Sequence, residues 1–332
     1  MSCVDGQWSQ PGVNYGCTAV EAVVIAGNAD PVPNTIGWTA ELYGKYHGND
    51  LSKEQRELPR FYQQRFESTL NYVNSQLLLC GGWGPQAGRT CSYLVPGKES
   101  GSWNTSYSTF VEHGRADHMS VVMGGKLHLI GGDDNQEPYT TEFIEPCRSN
   151  TAKPGINLAS WSRGGCAVAL THDTFAVIGG LDVDSCWCGK RTAMAYNITS
   201  GEHYELPSMR YARMDHDCVM FKDQKTKEKY ILVTGGRFEG SNYVGNTELL
   251  KVGDSYWTEV GQLNYPRASL KMAVMENKIL ALGGYVEKEY EATTLVEEYD
   301  LETKTWRMAR SLLYPRAGHA VAAVPSDINN WC

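Results

Sequence analysis

The sequence predicts an all-β fold, a closed ring of six blades with four antiparallel strands each, that is, a β-propeller. Three observations carry this. A double glycine ends a short apolar run five times, at Gly81–Gly82, Gly131–Gly132, Gly179–Gly180, Gly235–Gly236 and Gly283–Gly284. An arginine opens an alternating run six times, at Arg65, Arg115, Arg163, Arg213, Arg267 and Arg316. Long helical patterns are absent, and 34 glycines in 332 residues supply the turns that many short strands need.

The period comes from the first glycines, which lie 50, 48, 56 and 48 residues apart. A weaker sixth copy, VVIAGN at Val23 to Asn28, falls 54 residues before Gly81. Self-similarity at this spacing is that of a four-stranded blade. Four arginines precede their first glycine by sixteen residues, whereas Arg213 to Gly235 spans 22. The surplus falls in the polar KDQKTKEKY, which reads as a longer hairpin loop, where repeats tolerate insertion. In the last full unit LKMAVM is the first strand, EN a turn, KILALGG the second strand, TTLVEEYD the third and TWRMA the fourth. Glycine at the end of the second strand allows close backbone approach where blades crowd.

The termini complete the count. AVEAVVIAGN, GWTAELYG and QRELPRFY read as strands two, three and four of one blade, and the C-terminal HAVAAV as its first strand. Closing the ring this way removes open sheet edges. The chain thus reads as one domain, 1–332, with blades at roughly 17–62 plus 315–325, 63–112, 113–160, 161–210, 211–264 and 265–314.

The chain resembles the Kelch family from Cys17 to about Pro325. The resemblance rests on the glycine pairs, the RADH, RMDH and RAGH starts, the TTEF, NTEL and TTLVEEYD third strands, and Trp103, Trp257 and Trp306 in the fourth. The second unit departs from it with RFES, and the fourth with RGGC in place of Arg-x-x-His. The resemblance implies binding of partner peptides or acidic groups on the face formed by the strand 4–1 and strand 2–3 loops. It also admits enzymes: a copper oxidase, a sugar mutarotase, and specifier proteins whose Glu-x3-Asp-x3-His spacing this chain lacks. A mutarotase-like site would use Arg, His and Glu67 in an arginine-lined channel. A structural crosslinking role in matrix or cytoskeleton is the third alternative. No cofactor and no metal site is expected.

The net charge of −8 argues against nucleic acid as the main partner. No run of 18 apolar residues suggests a membrane span, and MSCVDGQWSQPG lacks the features of a signal peptide. Ten cysteines and two sequons, at Asn104 and Asn197, favour an oxidising, extracellular setting, with the cytoplasm as the alternative. Candidate disulfides are Cys332 with Cys3 or Cys17, as a latch on the ring, and Cys80 with Cys91. Cys186 or Cys188 has Cys166 or Cys218 as possible partners.

On the loop face the candidate ligand-binding residues are Arg65, Arg115, Arg163, Arg213, Arg237, Arg267 and Arg316 with Trp83 and Tyr285. Trp187 and Tyr243 add apolar contact, and the expected ligand is a protein, a peptide or a small anion. The competing expectation for most arginines is structural, pairing with carboxylates or carbonyls between blades, since buried cations are paired. His118, His216 and His319, each three residues after an arginine, read as structural histidines rather than metal ligands.

Overall fold

The computed structural model describes residues 20–27, 39–46, 56–58 and, apart from short loop stretches, 65–325, with the backbone of further strand pieces at 2–4, 7–10, 13–16 and 49–50. Six antiparallel sheets form the six blades of a β-propeller. Blade one joins Ala320–Pro325, Val20–Ala26, Ala40–Tyr46 and Arg56–Leu58. Blade two is Thr69–Val73, Gln76–Cys80, Thr90–Leu94 and Asn104–Phe110. Blade three is Met119–Met123, Lys126–Ile130, Thr140–Ile144 and Lys153–Asn157. Blade four is Cys166–Ala169, Thr174–Ile178, Ala193–Asn197 and His203–Leu206. Blade five is Met214–Lys222, Lys229–Arg237, Asn246–Lys251 and Thr258–Gln262. Blade six is Lys271–Met275, Lys278–Leu282, Val296–Asp300 and Thr305–Met308.

Each first strand touches the first strand of the blade on either side, so six of them wall a central channel. The C-terminal strand closes the ring by pairing antiparallel with Val20–Ala26, Val321 opposite Ile25 and Ala323 opposite Val23. The core is divided accordingly into six apolar clusters, each between two neighbouring blades. The cluster of Val23, Ile25, Leu280, Leu282 and Val296 seals blade six to blade one. Burying each such aliphatic side chain contributes about 1.5–3 kcal/mol.

The double glycine is where one blade meets the next. Gly81 has φ +65°, and a Cβ there would lie 2.5 Å from both the Arg115 carbonyl oxygen and Cε1 of His118. The Gly82 amide donates to that same Arg115 carbonyl at 2.7 Å. Backbone thus stacks on backbone where any side chain would intrude.

Two details differ from the sequence reading. The six extra residues of blade five are shared: Asp217 to Lys222 pairs six residues where Met119 to Met123 pairs five, and only four of the six lengthen the loop. In blade four the arginine is out of register. Gly132 bonds the Ser162 carbonyl as Gly82 bonds Arg115, so Ser162 holds the arginine position and Arg163 the next. The spacing of sixteen survives there because Cys166–Ile178 is one residue longer than Met119–Ile130.

Cys80 and Cys91 sit directly opposite on adjacent strands and are bonded, with Cα atoms 4.0 Å apart. Cys166 and Cys218 are bonded to each other, joining the first strands of blades four and five. Cys186 and Cys188 pair within their own loop, which corrects the expectation that either reaches Cys166 or Cys218. The Cys332 latch to Cys3 or Cys17 lies outside the described residues, as does the side chain of Asn104. Asn197 lies in the hairpin turn, but its amide donates to Asp173 Oδ2 (3.2 Å) and Thr174 Oγ1 (3.4 Å). Its Oδ1 accepts from the Thr199 and Ser200 amides. A glycan on that nitrogen has to displace these bonds.

Candidate functional site

The site begins at one end of the channel, two residues after each arginine position. There Glu67, Asp117, Gly164, Asp215, Ser269 and Gly318 all adopt left-handed backbone, with φ between 52° and 61°. Four of them carry a Cβ, a conformation that costs of order 1 kcal/mol or more and persists only where the surroundings enforce it. The enforcing element is a closed belt of six backbone hydrogen bonds. The Glu67 amide donates to Gly318 O (2.7 Å), Asp117 to Glu67 (3.2 Å), Gly164 to Asp117 (3.2 Å), Asp215 to Gly164 (2.6 Å), Ser269 to Asp215 (2.7 Å) and Gly318 to Ser269 (3.0 Å).

Outside the belt, Arg65, Arg115, Arg213, Arg267 and Arg316 are at most 1% exposed. Each guanidinium donates to the carbonyl of its own blade's first glycine: Gly81, Gly131, Gly235, Gly283 and Gly27. Four also pair with a third-strand glutamate: Arg115 with Glu142, Arg213 with Glu248, Arg267 with Glu297 and Arg316 with Glu41, at 2.7–3.1 Å. In blade two Ser92 takes the glutamate position, and Arg65 bonds Thr90 and Ser92 hydroxyls and the Ala87 and Thr90 carbonyls. In blade four, where Ser162 replaces the arginine, Met194 replaces the glutamate, so the pair is lost together. Burial lowers the affinity of Arg267 for its proton, to a pKa of about 10, against the raising effect of Glu297. The structural alternative therefore describes these five. They have no open surface for a ligand, and the lining from Glu67 to Val321 contains no arginine among the described residues, which corrects the arginine-lined channel.

The register change puts Arg163 at the mouth, 25% exposed, where it donates to Asp117 Oδ2 (2.9 Å) and Asp133 Oδ2 (2.5 Å). Arg237, at the end of a second strand, donates to Asp215 Oδ2 at 2.7 Å. The indole N–H of Trp83 donates to Glu67 Oε2 at 2.9 Å. Burial, together with the charge of Asp117 and a hydrogen bond to it, pushes the Glu67 carboxyl up to about 9. The Glu67 carboxyl therefore keeps its proton at neutral pH. The mouth is thus ringed by acids answered by two arginines. Sequence reasoning named Glu67 only as an acid–base candidate; the signal was its place two residues after Arg65, matching Asp117 and Asp215.

Below the belt His118, His216 and His319 are buried wedges. Burial, aided by nearby cations, depresses all three, His118 to about 3, so they are neutral. Among the described residues no group of three or more His, Cys, Asp or Glu side chains is placed to hold a metal ion. Above the belt lie the loops. Of the ten exposed large hydrophobic residues among those described, Trp83, Tyr139, Trp187, Phe238, Tyr265 and Leu313 are on this face. Tyr285 is half-buried, its strand Tyr285–Val286 pairing with Arg267–Ala268. The loops of blades four and five are tied by the Gly189 amide donating to Phe238 O at 2.6 Å.

The Kelch motif matches residues 266–313, which is blade six from its buried arginine to its fourth strand. The chain is similar to Kelch-repeat proteins. It is 25% identical over 209 residues to Kelch repeat protein M-T8 of Myxoma virus (strain Lausanne), covering 63% of this chain and 38% of that protein. It is 24% identical over 272 residues to Kelch-like protein terF of Aspergillus terreus, covering 77% and 57%. With Host cell factor of Drosophila melanogaster it shares 22% over 262 residues, covering 67% and 17%. The chain therefore spans between 17% and 57% of these relatives' lengths.

Proposed function

We propose that this Kelch propeller is a protein-binding module whose partner docks on the face formed by the strand 4–1 and 2–3 loops. The observation that carries the reading is the gathering on that one face of six of the ten exposed large hydrophobic side chains among the described residues, around a mouth of paired acids and arginines. Apolar anchors around a polar centre are what a peptide or protein surface engages. Trp187, 66% exposed, is the leading anchor, and Phe238 of the neighbouring loop the second. An extracellular, oxidising setting is part of the proposal; the bonded Cys80–Cys91 and Cys166–Cys218 pairs support it.

The test is selection of a random twelve-residue peptide library on the immobilised propeller. Selected peptides are expected to lose at least tenfold in affinity for a W187A/F238A variant. They should keep it for Y256A, which truncates a side chain 67% exposed in the blade-five turn between strands three and four. Equal binding to all three proteins removes the proposed face.

A further inference from the structure

Three cysteine pairs are bonded among the described residues, and two of them are sealed. Cys80, Cys91, Cys166 and Cys218 are at most 7% exposed and belong to the apolar clusters between blades. The third pair stands on the loop after the second strand of blade four. Cys188 is 4% exposed and is held in a two-residue strand, opposite Asp182. Its neighbour Gly189 is tied to Phe238 of blade five, and the Lys190 amide donates to Gly180 O at 2.8 Å. Cys186 lies two residues earlier, within the exposed run Asp184 to Trp187. A thiolate must reach a sulfur to exchange with a disulfide. Solvent therefore offers it Cys186 and none of the other five bonded cysteines.

Two features make this pair the easiest to open. A crosslink stabilises by the freedom it removes from the unfolded chain, and that grows with the length enclosed. The bonded partners are 52 positions apart in Cys166–Cys218, 11 in Cys80–Cys91 and 2 in Cys186–Cys188. The fold therefore loses least when the third pair opens. The single residue between its cysteines is Trp187, in left-handed backbone at φ 53°. A bulky side chain keeps that conformation only where its surroundings enforce it. Here the enforcing contacts are the Trp187 amide, which donates to Asp182 O at 2.8 Å, and the crosslink that brackets the residue. Opening the crosslink removes one of the two and lets the tip relax. The base of the hairpin stays paired, Leu181 with Gly189 and Asp182 with Cys188, and keeps Cys188 in place to close the bond again.

We propose that Cys186–Cys188 is a thiol–disulfide exchange site that takes low-molecular-weight thiols, with Cys186 as the entry sulfur and Cys188 as the resolving one. The thiolate of the small molecule bonds to Cys186 Sγ, the Cys186–Cys188 bond breaks, and its electron pair leaves on Cys188 Sγ, which takes up a proton. A second thiolate attacks the sulfur of the bound small molecule, giving its symmetrical disulfide and a Cys186 thiolate, which also takes up a proton. Two small thiols are oxidised and one protein disulfide is reduced; attack by the Cys188 thiolate reverses the first step. The exchange itself needs no protein partner. Release of a partner held by Trp187 is a consequence that rests on the docking reading above.

Two measurements test it on protein purified without reductant. In glutathione buffers of graded reducing strength, free thiols are alkylated and all three pairs are mapped by peptide mass. Cys186 and Cys188 should become alkylatable in buffers at least tenfold less reducing, in the ratio of squared reduced to oxidised glutathione, than those that open Cys80–Cys91 or Cys166–Cys218. The entry sulfur is read from single variants treated with oxidised glutathione. C188S should gain the adduct on Cys186 at least tenfold faster than C186S gains one on Cys188. Opening of the three pairs together, opening of this pair last, equal adduct rates in the two variants, or free Cys186 and Cys188 thiols in the untreated protein each overturn the site. If the variants do not fold, the buffer series on the wild-type chain alone decides.

Discussion

Replacing Arg267 by serine tests whether the buried arginines hold the blades. The substitution takes donors from the carbonyls of Gly283 (2.7 Å) and Leu295 (2.9 Å) and the partner from Glu297 (3.1 Å), all in a fully buried site. Removing one member of a buried ion pair costs about 3–5 kcal/mol, because the other charge stays buried. The Glu297→Met change is expected to cost a similar amount, since it also orphans the Asn264 and Tyr265 amides. Blade four, however, carries serine and methionine at the corresponding positions, Ser162 and Met194. The double variant R267S/E297M should therefore be more stable than the sum of the singles implies, with a coupling of at least about 2 kcal/mol. Thermal and urea denaturation of the four proteins closes the cycle. Strict additivity would refute the argument that each arginine and third-strand glutamate act as one unit.

Four other expectations are independent of this one. Gly81→Ala brings a Cβ to 2.5 Å from the Arg115 carbonyl and should cost several times more than Gly201→Ala, at φ +75° with nothing within 4 Å, measured by melting temperature. Glu67 has a carboxyl raised from 4.5 to about 9, so the native state holds its proton over that range; the stability it contributes is present below pH 4.5 and is lost as the pH rises to about 9, and Glu67→Gln should flatten that part of the urea pH profile. His118 runs the other way: depressed from 6.5 to about 3, its contribution is full above pH 6.5 and is lost as the pH falls to about 3, which His118→Gln should diminish. Removing Cys166–Cys218, which closes 52 residues, should cost about 4 kcal/mol in the chain-entropy model, read by melting C166A/C218A, while non-reducing peptide mapping that finds two free thiols denies the bond.

The ring, its blade count and its closing strand were legible because they depend on repetition, and repeated spacing is a property of the chain itself. The direction of the arginines was not. Arg65 and Arg163 carry the same spacing to their glycines, yet one is sealed between blades and the other stands at the mouth, because an extra hairpin residue in blade four hides a register change. The partners were visible as the glutamate of TTEF and NTEL, but a third-strand residue is joined to a first-strand arginine only by folding. Cys166 and Cys218 likewise meet because neighbouring first strands run side by side around the channel. Asn197 reads as a sequon in one dimension and as a turn-forming amide in three.

The belt of Glu67, Asp117, Gly164, Asp215, Ser269 and Gly318 has no first or last member. A helix frays from its ends and a sheet from its edges; a hoop has neither. Its last bond forms only when blade one, made from both ends of the chain, has been put together. These six amides therefore report on the whole circle at once: in hydrogen exchange they should open together, at the rate at which the propeller itself comes apart, and not one blade at a time.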